Sequence, residues 1–183
     1  MARSGMINLI SRLRDMCNVT VDDWTDDELQ TILDGRRLDV RREKLEQAPE
    51  YTASTANYYD FYSRFGNYEE TDGGTAVFIL EDSAGADKST ANWTANYTNG
   101  HIRFSADQGG TAIYLTGRSY DLFGAAADVW RQQMGKQAAK YTFAADGVQM
   151  SRSHWFAHCD RMAAHYDRLS RPVQVQINRG DVA

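Results

Sequence analysis

The chain has 183 residues, of which 42% are hydrophobic and 25% are charged, and its formal net charge at pH 7 is −5. This composition is ordinary for a globular protein, and the negative charge argues against tight nucleic-acid binding through a basic surface. No apolar run approaches the ~18 residues that a membrane-spanning helix needs, and the N-terminal residues lack the apolar core of a signal peptide. The isolated cysteines Cys17 and Cys159 indicate reduced thiols and synthesis in the cytoplasm.

Two short helices are predicted near the N-terminus. The segment Asn8–Cys17 carries apolar residues at helical spacing. Its predicted buried face comprises Ile7, Ile10, Leu13, Met16 and Cys17. Thr25 and Glu28 have the spacing of a capping box, in which each residue satisfies a backbone N–H of the other, so a second helix is predicted to begin there. Gly35 is expected to end that helix.

The next stretch predicts an extended arm and then aromatic strands. Val40–Leu45 alternates in character and is expected to be exposed, and Pro49 is expected to break it. Tyr51–Tyr68 contains aromatic residues interleaved with polar ones, which is typical of strands with one wet face. Core packing or a subunit contact explains these aromatics better than sugar or base binding, because the stretch lacks a basic interleave.

The middle of the chain predicts a small antiparallel sheet. Thr75–Leu80 is one expected strand, and Trp93–Tyr97 and His101–Ser105 are two more. The Asn99-Gly100 pair between the last two is a strong hairpin signal, because a tight turn requires positive φ. Thr111–Thr116 is predicted as a further strand.

Two longer helices are predicted from Tyr120 to Leu169. The first covers roughly Asp121–Lys140, and the second begins near Ser151 or Ser153. Both carry an apolar stripe, and Thr142–Gly147 has the composition of a turn. This pattern predicts an antiparallel helical hairpin.

The C-terminal tail has a strand pattern. It runs over Arg171–Ala183, and Val173, Val175 and Ile177 alternate with polar residues after Pro172. An unpartnered strand at a terminus can pair with the sheet edge of another chain, whereas the simpler alternative is a disordered end.

Taken together, these elements predict an α+β fold. It is expected to be mainly an α-helical bundle, built from the long C-terminal hairpin and the N-terminal helices, with an inserted small antiparallel β-sheet. The expected divisions are N-terminal helices and arm over residues 1–48, a β-rich insertion over 49–118, the helical hairpin over 119–170, and the tail over 171–183.

Features that suggest catalysis or metal binding have simpler interpretations. His154 and His158 lie one helical turn apart and could share a metal ion, but no third ligand is placed. The acidic segment Asp22–Glu28 lacks the loop pattern of an EF-hand and is explained by helix capping. No nucleotide-binding loop or catalytic triad appears. We therefore expect no enzyme, no metal and no cofactor.

The order of these elements resembles the head–tail connector (adaptor) proteins of tailed bacteriophages. The similarity runs from about Asn8 to Leu169, and its most specific part is Tyr120–Ser153. The motifs that carry it are Asp27-Glu28-Leu29, Asn99-Gly100-His101-Ile102-Arg103-Phe104, Tyr114-Leu115-Thr116-Gly117, Tyr120-Asp121-Leu122-Phe123-Gly124 and Phe143-Ala144-Ala145-Asp146-Gly147-Val148.

This resemblance implies structural work in the neck of a virion, after synthesis in the host cytoplasm. Such adaptors form a ring, commonly of twelve copies, beneath the portal protein. The ring extends the DNA channel, touches genomic DNA only passively, and docks a head–tail stopper or tail terminator protein. Portal binding would fall on the tail residues Pro172, Val173, Val175 and Ile177.

Contacts between ring subunits are assigned by hypothesis to the charged arm and the aromatic stretch. The residues are Arg36, Arg37, Arg41, Arg42, Glu43, Glu46, Tyr58 and Tyr59. An alternative is a carbohydrate- or protein-binding module that uses Trp93, Tyr97 and Tyr114 of the β region. A metal hydrolase using the paired histidines is a third class, and it would require bound metal.

Overall fold

The computed structural model describes residues 2–52, 54–137 and 152–170, and these residues form four α-helices and nine β-strands. The helices are α1 (Ile7–Cys17), α2 (Asp26–Asp34), α3 (Leu122–Gln137) and α4 (Arg152–Leu169). The strands are β1 (Arg37–Lys44), β2 (Glu46–Thr52), β3 (Thr55–Tyr62), β4 (Thr71–Asp72), β5 (Thr75–Ala76), β6 (Ile79–Glu81), β7 (Trp93–Asn96), β8 (His101–Phe104) and β9 (Tyr114–Tyr120).

The described chain divides into a helical half and a β half, each with its own hydrophobic core. The helical half brings α1 and α2 together with α3 and α4 around a buried cluster. The alanines of α3, Ala125, Ala126 and Ala127, are fully buried, which allows close approach of the neighbouring helices. The β half encloses a second cluster that includes Phe61, Phe78, Trp93, Phe104 and Leu115.

All strand pairs in the β half are antiparallel. One sheet has the order β1-β9-β6, a second has the order β2-β3-β8-β7, and β4 pairs with β5. Strand β1 follows α2, and β9 precedes α3, so the β1–β9 ladder carries both chain connections between the halves. The backbone N–H of Asp121 donates to the Arg36 carbonyl at 3.1 Å, which extends this ladder to the start of α3.

The prediction of a mainly α-helical bundle with a small inserted sheet is wrong. The fold is mixed, with three antiparallel sheets that build a core as distinct as the helical one. Helices α3 and α4 do form and pack against each other, but they are one part of the helical half and do not dominate the fold. The apolar residues of the strands pack against one another between two sheets, so the β region has a hydrophobic core of its own.

The predicted arm is extended and mostly exposed, as expected, but it is part of a sheet rather than a free segment. Residues 37–44 form β1, which pairs with β9 and buries Val40 on the sheet face. Pro49 lies inside β2, where a register shift occurs between Ala48 and Glu50. A proline is tolerated at such an irregularity on an edge strand, because no ladder hydrogen bond requires its missing N–H.

Local predictions near the N-terminus are confirmed, with one exception. Helix α2 begins with a capping box, in which the Thr25 side chain accepts from the Glu28 N–H while the Glu28 carboxylate accepts from the Thr25 N–H at 2.8 Å. Ile7, predicted to be buried on α1, is 61% exposed. Ile10, Leu13 and Cys17 are buried as predicted and Leu9 is buried in addition, so Ile7 lies about 100° away from the centre of the buried stripe.

In the β region the predicted Asn-Gly hairpin is confirmed as β7 and β8, which pair antiparallel. The predicted strand Thr75–Leu80 is divided into β5 and β6. The predicted strand Thr111–Thr116 begins only at Tyr114 and continues to Tyr120. The strand is longer because β9 is a central strand with partners on both sides.

A polar junction fills the space where the two halves meet. The Glu69 side chain is fully buried and accepts hydrogen bonds from Arg3 Nε at 2.7 Å, Arg118 Nη1 at 3.3 Å and the Tyr120 hydroxyl at 2.7 Å. Arg3 also pairs with Asp34 of α2, with an N–O distance of 2.5 Å. Burial and the neighbouring Glu69 carboxylate raise the pKa of Tyr120, so its hydroxyl remains a donor. Glu69 thus joins Arg3 to Arg118 and Tyr120 of β9, and Asp34 joins Arg3 to α2.

Candidate intersubunit surface

The predicted intersubunit residues lie mostly on two edge strands of the β half that follow each other in the chain. Strands β1 and β2 are separated only by Leu45, and each is the edge strand of its own sheet. Charged side chains populate β1, and Pro49 interrupts β2. Such features hinder further strand pairing. A partner at this edge would therefore meet side chains rather than extend the sheet.

A bulge in β1 presents two arginines at this edge. The register with β9 shifts between Val40 and Glu43, and Arg42 has φ +47°. A left-handed conformation costs a residue with a side chain about 1 kcal/mol. The Arg42 N–H donates to Thr116 Oγ1 at 3.2 Å, and its guanidinium lies 5.2 Å from the Tyr114 ring centroid. Arg41 is exposed and forms no ion pair with any residue that the structure describes.

Three other residues of the predicted set make contacts within the chain. Arg36 forms a bidentate pair with Asp128 of α3, with N–O distances of 2.6 and 2.8 Å. Glu43 is 8% exposed and accepts from Ser63 Oγ at 2.8 Å. Arg37 pairs with Asp39 along the same strand at 2.9 Å. Arg36 and Glu43 therefore support the fold directly, because both are committed to internal partners.

Glu46, Tyr58 and Tyr59 occupy different positions around this edge. Glu46 is exposed at the start of β2. Tyr58 is half-buried against the β core, and the Tyr59 ring lies 5.9 Å from the Arg103 guanidinium. The exposed members of the predicted set are therefore Arg37, Arg41, Arg42 and Glu46, and of these Arg37 already pairs with Asp39.

The outer face of the four-stranded sheet carries a polar cluster that the sequence interpretation missed. Asp60 accepts from Arg103 Nη1 at 2.6 Å, and its other oxygen lies 2.7 Å from His101 Nε2. Tyr62 stacks on His101 with a centroid distance of 4.8 Å. Burial alone would raise the pKa of Asp60, but the His101 hydrogen bond and the Arg103 charge hold it below its usual value. His101 and Arg103 alternate with the buried Ile102 in β8, and this pattern in the sequence indicates that both polar side chains lie on the same outer face of the sheet.

The aromatic residues assigned to the alternative binding module do not form an exposed platform. Trp93 is 8% exposed and belongs to the β core. Tyr97 packs edge-on against Phe78 at 5.1 Å. Tyr114 lies beneath Arg42 on the other sheet. These three rings are therefore used mainly for internal packing.

The histidines considered as metal ligands are exposed on α4. His158 packs edge-on against Trp130 with a centroid distance of 5.4 Å, and His154 lies one turn earlier. Within residues 2–52, 54–137 and 152–170, no group of three His, Cys, Asp or Glu side chains is placed to hold a metal ion. In the same residues, no helix is both long and apolar enough to cross a membrane.

Some predictions concern residues outside the described part of the chain. These are the tail positions Pro172, Val173, Val175 and Ile177 and the turn at Thr142–Gly147.

No family model, curated protein or solved structure matches this chain.

Proposed function

We propose that this chain is a structural subunit of a phage virion, a head–tail connector that forms a ring of about twelve copies beneath the portal. The ring would extend the DNA channel and provide a platform for a stopper or tail terminator protein. The proposal begins from the sequence resemblance and is supported by the exposed charged edge described above.

The observation that carries the proposal is the edge formed by β1 and β2. Arg41 and Arg42 are exposed within the bulge, and Glu46 is exposed a few residues further along the same extended segment. Basic and acidic groups so close together suit polar contacts with a neighbouring copy. A contact between different surfaces of identical subunits closes into a ring when its rotation permits.

The net charge agrees with a conduit for DNA. The chain carries 20 basic and 25 acidic residues, which gives −5. Phosphate contacts release counterions and hold DNA strongly, so a channel through which DNA slides benefits from few such contacts.

The first test is capture of the cognate portal ring by the intact chain and by a chain ending at Ser170. Ser170 is kept because its hydroxyl bonds to Asp121 at the start of α3. We expect the intact chain to bind and the truncated chain to lose binding, as the portal-binding residues would be Pro172, Val173, Val175 and Ile177. Retained binding would move the portal contact to the folded body, and no binding by the intact chain to folded portal would overturn the connector proposal.

The second test concerns the ring contact itself. Electron microscopy of the portal complex should show a closed ring for the unmodified chain and a disrupted one for Arg41→Glu. Arg161→Glu is the matched control, because Arg161 is exposed on α4 and bonds to the Ala157 carbonyl of its own helix. Equal ring formation by both variants would exclude the β1 edge as the subunit contact.

A further inference from the structure

A cavity of about 360 Å³ lies between α1 and the turn that joins β7 to β8. Its lining includes Asn8, Leu9 and Arg12 from α1, together with Glu70, Asn96 and Tyr97 from the β half. The volume lies in the range of small-molecule sites, which usually combine apolar walls with a few placed polar groups. The cavity is separate from the β1 edge to which we assign the ring contact.

Arg12 is distinctive among the half-buried arginines of the described chain. Its Nη1 donates to the amide oxygen of Asn67 at 2.7 Å, and no described carboxylate lies within ion-pairing distance. Arg3 and Arg118, by contrast, both pair with Glu69. A guanidinium has five N–H donors in a planar fork that matches a carboxylate, so Arg12 retains donors for an anion entering the cavity.

Glu70 supplies the opposite charge on the same cavity. Its side chain is exposed and too far from Arg12 for an ion pair, and it forms none with the other described residues. Glu70 and Tyr97 line the same cavity, and burial first, then the Glu70 charge, raise the pKa of Tyr97. The Tyr97 hydroxyl therefore stays neutral and can donate or accept a hydrogen bond.

We propose that this cavity binds a small zwitterion of the amino-acid or short-peptide class. The ligand carboxylate would meet Arg12 and its ammonium group would meet Glu70. The Asn8 amide lies at the side of the cavity, as does the NH2 group of Asn96, whose Oδ1 accepts from the Thr98 N–H. The separation of the two charges requires a ligand whose own charges are also separated. The nearby Glu70 carboxylate opposes a doubly charged phosphate more strongly than a singly charged carboxylate.

The proposal is tested by NMR titration of the full ¹⁵N-labelled chain with glycylglycine. We expect saturable shifts of the amides of Asn8 and Tyr97, with a Kd on the order of millimolar. Acetate and ethylammonium each offer one of the two charges, and each should bind at least about tenfold more weakly. Equal binding of inorganic phosphate would identify a plain anion site and overturn the zwitterion proposal, as would the absence of saturable shifts with glycylglycine.

Variants assign the charges to their residues. Arg12→Gln and Glu70→Gln should each weaken glycylglycine binding at least about tenfold, whereas Arg161→Gln on the surface of α4 should leave it unchanged. Glu70→Gln should in addition strengthen acetate binding, because it removes a repelling charge. Far-ultraviolet circular dichroism checks the fold of each variant, and unchanged binding in folded Arg12→Gln or Glu70→Gln would contradict the assignment.

Discussion

The helical half and the β half each enclose a hydrophobic core, but the two cores are filled by different kinds of side chain. The helical core brings small alanines of α3 against aliphatic residues of α1 and α2. The β core relies on aromatic rings in edge-on contact, as for Phe61 with Phe104 at 5.3 Å and Tyr68 with Phe78 at 5.1 Å. Helix packing needs small residues for close approach, whereas two sheets about 10 Å apart need large side chains to fill the space.

The junction between the halves differs from both cores, because it is ionic. Glu69 is fully buried yet surrounded by two arginines and a tyrosine hydroxyl. A buried charge is stable only when it is paired and hydrogen-bonded, so the two halves depend on one network at their contact. A substitution in this network is therefore expected to destabilise the protein more than a substitution in either core alone.

The largest effect is expected for Glu69→Ala. Removal of this carboxylate leaves Arg3 with Asp34 alone and Arg118 with Asp72 alone, and the Tyr120 hydroxyl loses its acceptor. It also vacates a fully buried site, and together these losses are expected to cost about 3–5 kcal/mol of unfolding free energy. Urea unfolding followed by tryptophan fluorescence measures the change. Glu46→Ala, at an exposed position, should stay within about 0.5 kcal/mol. A cost for Glu69→Ala below about 1 kcal/mol would mean that the junction contributes little.

The two cores are compared by Ile10→Ala in α1 and Ile102→Ala in β8. Both side chains are at most 3% exposed, and each truncation should cost about 2–5 kcal/mol. Ile7→Ala is the matched control on the same helix as Ile10, since Ile7 is 61% exposed, and should cost about 0.5 kcal/mol or less. If Ile102→Ala proves as mild as Ile7→Ala, the β half is not a core of comparable quality.

A smaller effect is expected at the start of α2. Thr25→Ala removes the side chain that accepts from the Glu28 N–H, and the loss of a cap costs about 1 kcal/mol. Thr31→Ala in the same helix should change stability by about 0.5 kcal/mol or less, because the Thr31 hydroxyl only bonds to the Asp27 carbonyl of its own helix. Equal effects at both positions in thermal unfolding would show that the cap is not the cause.

The smallest expected change is a titration shift in the helical half. The Lys136 ammonium, 2.6 Å from the carboxylate, and the Thr25 cap lower the pKa of Glu28 to about 2. A lowered folded-state pKa means that the stabilisation is complete above the unfolded value near 4.5 and is lost as pH falls toward 2. In Lys136→Gln the Glu28 pKa should rise toward its ordinary value by NMR titration, while Lys44→Gln on β1 leaves it unchanged. An unaltered pKa in Lys136→Gln would exclude this lysine as the main cause.

The sequence predicts the helical half better than the β half, for a physical reason. The periodicity of α1 and the Thr25–Glu28 spacing report contacts within one or two helical turns. The pairing of β1 with β9 joins Arg37 to Tyr120, and no local pattern encodes so distant a partner. The Asn99-Gly100 hairpin is the part of the β half that sequence reasoning finds, because its two strands are adjacent in the chain.

For the β1 edge and the cavity, too, the sequence shows only what is local in the chain. That Arg41, Arg42 and Glu46 stand together in a charged segment is visible in the sequence, but their exposure beside a buried Glu43 follows from the bulge in β1. Arg12 and Glu70 line one cavity and form no ion pair with another residue in the described ranges. Their proximity has no sequence signal, because the two residues come from opposite halves.

By itself, the sequence determines the helix starts, the capping box and the hairpin turn, because backbone geometry and neighbouring side chains suffice to select them. The tertiary structure decides the balance between helices and sheets, the burial of Glu69, the exposure of Ile7 and the opening between α1 and the β half. Each of these depends on residues far apart in the chain, and only the folded arrangement of the two halves brings them into contact.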